Sequence, residues 1–190
     1  MNVKDMLRQA SDAAKQLITL SDQTIIGILK ETAQVLRTHT EEVLAANRQD
    51  LERMDPANPK YDRLKLTEER LQGIAADMEN VSTLPSPLNK VLNETTRPNG
   101  MVIRKVTVPF GVIGVIYEAR PNVTFDVFSL CFRSGNVCVL KGGSDADFSN
   151  RALVRIIHSV LERQGINPAV CTLLPPDREA TAELLGAVGL

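Results

Sequence analysis

Residues able to do chemistry crowd into two short stretches of this chain, Tyr117–Asn122 (YEARPN) and Leu140–Ser144 (LKGGS). The first offers a carboxylate (Glu118), a guanidinium (Arg120) and an amide (Asn122) around a single proline. Arginine matches the geometry of carboxylate and phosphate groups, and an amide N–H can donate to developing negative charge. One of the three is therefore suited to an anionic substrate or an oxyanion, while Asn122 also suits the cap of a following helix. In the second stretch, Lys141 precedes Gly142, Gly143 and Ser144. Between a strand and a helix, such a run brings backbone amides, a cation and a hydroxyl to one spot, fit for a nucleotide ribose or phosphate. The same residues also make a tight turn with a solvated lysine.

The elements that must position these stretches are two apolar runs, Val112–Tyr117 and Val137–Leu140, both rich in Val and Ile. Such runs read as strands buried on both faces of a parallel sheet. Between them, residues 123–133 place Val123, Val127, Leu130 and Cys131 or Ser134 on one helical face. Strand, crossover helix and strand make a βαβ unit, and open sheets of this kind bind ligands beyond the carboxyl ends of their strands. Both chemical stretches fall at those ends. The pair Gly111 and Gly114 begins a strand and so reads as close packing rather than phosphate binding. A helix over residues 145–164, stopped by Gly165, leads to a third short strand over 170–174 and a further helix from Asp177. The chain then runs out in LLGAVGL, which reads as a sheet left unfinished.

Upstream, residues 3–20 carry apolar side chains at helical spacing, and Ser21 reads as the cap of a second helix with Ile25, Ile28, Leu29 and Leu36 inward. Thr40 reads as the cap of a third helix with Glu41 and Glu42 in its first turn, where the helix dipole favours acids. Two prolines in residues 55–59 mark a loop, and Thr67 opens a fourth helix running to Met78. Asn99-Gly100 between two β-prone runs signals a hairpin, either solvated or an edge for another subunit. The expected layout is a helical region over 1–84, a hairpin or oligomerisation ribbon over 85–108, and a βαβαβα core over 109–190. The fold class is thus α/β, a Rossmann-like parallel sheet preceded by helices and a hairpin.

With 190 residues, 43% hydrophobic and 24% charged, the chain is an ordinary globular sequence. A net charge of −1 gives no electrostatic reason to expect nucleic acid or an anionic membrane as partner. No run approaches the ~20 apolar residues of a membrane span, and no secretory signal opens the chain, so a cytoplasmic location is expected. Cys131, Cys138 and Cys171 form no CxxC pair and read as inert buried thiols. His39 and His158 lack a neighbouring acid or nucleophile. The glycine-rich phosphate, zinc-protease and serine-hydrolase motifs are missing, and no metal site is expected.

The run GVIGVIYEARPNVTFDVFSLCFRSGN, followed by VLKGGS, resembles the gamma-glutamyl phosphate reductases of the aldehyde dehydrogenase superfamily, as do LAANRQDLERM, YDRLKLTEERLQGIAADMENV and PDREA. The resemblance covers essentially all 190 residues. It implies a part of a cofactor domain, NADP as cofactor, and reduction of L-glutamyl 5-phosphate to glutamate 5-semialdehyde in proline biosynthesis, with homo-oligomers as the assembly. It also implies a cysteine thioester, whose cysteine belongs to an RPSTCN-type segment not found here. By the resemblance Lys141 corresponds to the lysine that contacts the adenosine ribose, with Gly142, Gly143 and Ser144 beside it. Asn122 resembles the oxyanion-site asparagine, a place that Glu118 or Arg120 would otherwise occupy. The alternative expectation is a non-catalytic nucleotide-binding or assembly module of the same half-fold.

Overall fold

The computed structural model describes residues 2–187; the end of the LLGAVGL stretch, 188–190, lies outside them. Five helices come first: α1 (Val3–Leu17), α2 (Asp22–Thr38), α3 (Thr40–Glu52), the single turn α4 (Tyr61–Leu64) and α5 (Glu68–Thr83). The expected caps at Ser21 and Thr67 are in place, each hydroxyl accepting from an amide three residues on. Thr40 is not a cap. It is already inside α3, and its hydroxyl donates back to the carbonyls of Leu36 and Arg37, so α2 and α3 are joined by His39 alone. Helix α5 runs past Met78 to Thr83, and α4 is an element that the proline-rich loop concealed.

A hairpin follows, β1 (Val91–Thr96) against β2 (Val102–Val106), turning where Gly100 takes a φ of +84°. Every residue of both strands is exposed, and among the described residues the ribbon joins no other sheet. The second sheet has β3 (Val112–Ile116), β4 (Val137–Lys141) and β5 (Cys171–Leu173) in the order β3-β4-β5, all parallel. Helices α6 (Asn122–Arg133) and α7 (Asp147–Arg163) form the crossovers, and α8 (Arg178–Leu185) closes the described chain, capped by Asp177.

Two expectations fail in the core unit. Among the described residues only β4, in the middle, is buried along its whole length; there β3 lies at the edge of the sheet, with Ile116 45% exposed. A continuous apolar run cannot distinguish a central strand from an edge strand. The inward face of α6 carries Phe125, Phe128 and Phe132, with Phe128 and Phe132 stacked at 5.2 Å, whereas Leu130 is 54% exposed and Val123 and Val127 are half-buried. Outside the polar stripe Asn122, Asp126, Ser129 and Arg133 the helix is apolar over a wide arc, so spacing alone left open which part of that arc turns inward. The largest side chains took the interior, where burial per residue is greatest.

One hydrophobic core runs from Val3 to Leu184, so the N-terminal helices and the sheet share an interior. Buried Arg133, at the end of α6, pairs with Asp22 at the start of α2 and donates to the Leu84 carbonyl after α5. Gly114 sits beneath Leu184, whose Cδ1 would lie 3.0 Å from any Cβ there, which agrees with a packing role for that glycine.

Candidate functional site

Strands β3 and β4 end level with each other, Ile116 beside Lys141, so both chemical stretches leave the sheet at the same end. They touch there: a Cβ on Gly143 would lie 3.4 Å from the backbone of Glu118 and Ala119. A small cluster of Leu64, Ala119 and Ala146 pins the two loops to α4. Because Ala119 and Pro121 point inward, Glu118 and Arg120 alternate outward.

The side chains then diverge. Lys141 is only 8% exposed and donates to the Pro176 carbonyl at 2.9 Å, toward the β5 and α8 side. It is neither the solvated lysine of a plain turn nor gathered with the hydroxyl of Ser144, which is exposed. Gly142 is buried because a Cβ there would lie 2.3 Å from the Asn150 amide. Asn150 in turn accepts from Thr124, which bonds the Tyr117 hydroxyl at 2.7 Å. This buried chain ties β3, α6 and α7 together under the loops, and burial raises the Tyr117 phenol well above its ordinary range, keeping it neutral.

The expected anion cradle at the start of α7 is already filled from within. Asp50 of α3, its side chain fully buried, accepts from the backbone amides of Phe148 and Ser149 and from the Ser149 hydroxyl at 2.6 Å. The dipole and open amides that would attract a phosphate thus face a resident carboxylate. Beside Asp50, Asn47 donates to the Leu64 carbonyl and to Ser149, and accepts from the Leu66 amide. Neither Asn47 nor Asp50 stood out in the sequence, where both read as ordinary polar positions on a helix.

On the other side, Asn122 begins α6. Pro121 holds the cap position, and the Asn122 amide donates to the Asp126 carboxylate at 3.0 Å instead of capping the helix. Glu118 pairs with Arg63 at 3.6 Å. Arg120 and Asn122 border a pocket of about 380 Å³ that also takes in Arg63, Lys65 and Asp77, from α4, the following loop and α5. The chain therefore separates its expected site residues, Lys141 reaching toward the Pro176 carbonyl after β5 and Arg120 with Asn122 bordering the pocket beside α5.

The cysteines do not join either group. All three are buried and unpaired. Burial pushes the Cys131 thiol up to about 12, and Cys138 is raised by the neighbouring Cys171 thiol and by its own burial. His158 is satisfied by the Cys171 carbonyl at 2.7 Å. Among the described residues no cluster of His, Cys, Asp and Glu could hold a metal, and no helix is long and apolar enough to cross a membrane.

The shared fold is that of an aldehyde dehydrogenase-type α/β domain: a probable aldehyde dehydrogenase from Listeria monocytogenes superposes over 97% of this chain and 39% of its own, with a TM-score of 0.71 at 17% identity. No protein-family model matches the chain. Within that class, it is 98% identical over all 190 residues to the gamma-glutamyl phosphate reductase of Parabacteroides distasonis, covering 46% of that protein, and 64% identical to that of Azobacteroides pseudotrichonymphae. The gamma-glutamyl phosphate reductase of Thermotoga maritima superposes with a TM-score of 0.93 at 31% identity, over 97% of this chain and 46% of that one. The described residues thus correspond to the amino-terminal part of gamma-glutamyl phosphate reductases, and the chain spans about half the length of the curated relatives it matches.

Proposed function

We propose that this chain supplies the cofactor-binding and substrate-binding side of an enzyme that reduces L-glutamyl 5-phosphate to glutamate 5-semialdehyde and phosphate in proline biosynthesis, in the cytoplasm. The observation that carries the reading is the 98% identity along the whole chain to a reductase of that name. The separation of Lys141 from Asn122 supports it, because a two-substrate reaction needs a place for each.

In this reading NADPH supplies the hydride. Lys141 spends one ammonium proton on the Pro176 carbonyl and offers the others to the adenosine ribose. The glycines at 142 and 143 let the loops approach closely beneath it. Asn122, with one amide proton held by Asp126, directs the other at the oxygen of the acyl group as it gains charge. The attacking thiolate is none of the three described cysteines, since each is buried in the core away from both groups of site residues. A cysteine elsewhere in the complete enzyme displaces phosphate to form the thioester, and hydride addition followed by loss of the thiolate releases the aldehyde.

The hairpin fits an assembly role. A two-stranded ribbon is marginal by itself, and this one exposes Leu92, Val102 and Ile103. In the complete homo-oligomer, Ile103→Pro should move elution on sizing toward monomer; an unchanged volume would count against that role.

The functional test is this chain completed with the remaining residues of the Parabacteroides relative, supplied with glutamate 5-semialdehyde, phosphate and NADP and followed by NADPH formation. Turnover is expected. Its absence, or turnover without phosphate, overturns the reading.

A further inference from the structure

The pocket beside Asn122 is not simply cationic. Lys65 and Arg120 share it with the carboxylate of Asp77, and among the described residues no ion pair or side-chain hydrogen bond holds any of the three. Two neighbouring cations are already engaged: Arg70 donates to the Asp62 carboxylate at 3.0 Å and to the Lys65 carbonyl, and Arg63 leans toward Glu118. A second carboxyl, Asp126, lies within reach of the Asp77 charge; burial raises its pKa, and Asp77 adds to that while the Asn122 bond opposes it. Asp77, without an ion-pair partner in the pocket wall and near enough to Asp126 for each to feel the other's charge, favours a positive group from outside. Two unengaged cations favour a negative one. At about 380 Å³ the space suits a molecule of a dozen or so heavy atoms rather than a single ion.

We infer that this pocket recognises the charged head of an α-amino acid, Asp77 taking the ammonium, and Lys65 with Arg120 taking the carboxylate. The assignment rests on the proposed reductase reading and deepens it. The amino-acid end of the substrate is held between α5 and the 118–122 loop, leaving its acyl end toward Asn122. Asp77 then discriminates amino acids from plain dicarboxylic acids, which would leave the two carboxyl groups unrelieved.

Calorimetric titration of the completed protein with L-glutamate and with glutarate, which lacks only the amino group, tests this independently of turnover. Wild type should bind L-glutamate more tightly than glutarate. Asp77→Asn should weaken L-glutamate by about fivefold, the scale of one exposed ion pair, and leave glutarate unchanged or tighter. Lys65→Met should weaken both ligands. Equal binding of the two ligands by wild type, or equal losses for both with Asp77→Asn, overturns the inference. Discrimination through Asp77 in a protein without reductase turnover would leave the inference standing and remove the functional reading. Turnover with no such discrimination would do the opposite.

Discussion

Lys141 was legible as a candidate from its place after a buried strand, but its direction was not. Its partner, the Pro176 carbonyl, lies 35 residues away. If the ammonium also holds the ribose, Lys141→Ala in the completed enzyme should raise cofactor KM roughly tenfold to a hundredfold, taking about 1.5–3 kcal/mol for a bond to a charged group. Because ribose binding is nearly the same in ground and transition states, kcat should change less. A loss confined to kcat would remove Lys141 from that role. Asp50 was invisible in the sequence, since the amides it caps are 98 and 99 residues distant. Asp50→Ala should cost about 2 kcal/mol, the upper end for a lost helix cap, read as a lower urea midpoint. A variant as stable as wild type would show that the buried carboxylate contributes nothing net.

The longer helices, the caps at Ser21 and Thr67 and the strand order of appearance could be read from spacing, because each depends on neighbours within a few residues; Thr40 and Asn122, read as caps, are not. What could not be read was which face of α6 turns inward. With Phe, Val, Leu and Cys spread over a wide arc of its circumference, the choice was settled by what α5, α2 and β4 present to it. The corrected face makes a paired expectation. Phe128→Ala should destabilise by about 3–5 kcal/mol as a buried aromatic, while Leu130→Ala, on the exposed side, should stay within about 0.5 kcal/mol. Chemical denaturation of both variants decides it; comparable losses would restore the orientation read from the sequence. The edge position of β3 was likewise hidden, because exposure depends on what lies beyond a strand rather than on its own residues. The division of the site into two groups escaped for the same reason: the loops were legible, their opposite lateral neighbours were not.

At the scale of the whole molecule, acidity and folding are linked through the pocket. Burial, aided by Asp77 and opposed by the Asn122 bond, raises the Asp126 carboxyl above its ordinary value. The folded chain keeps that proton where the unfolded chain has released it, so stability falls as pH rises through the window from the ordinary carboxylate value to the raised one. Asp126→Asn should therefore gain stability over wild type progressively from acid toward neutral pH; a pH-independent difference between their urea midpoints would count against the linkage. A different kind of consequence follows from α1. Gln16 donates to the Gly165 carbonyl and accepts from the Asn167 amide, about 150 positions further on, and the helix packs on β4 and β5. On a ribosome, at ~5–20 residues per second, α1 must wait on the order of ten seconds after its own synthesis for its docking surface to be made. During that interval its apolar stripe, Leu7, Ala10 and Leu17, has only water or a chaperone to meet it.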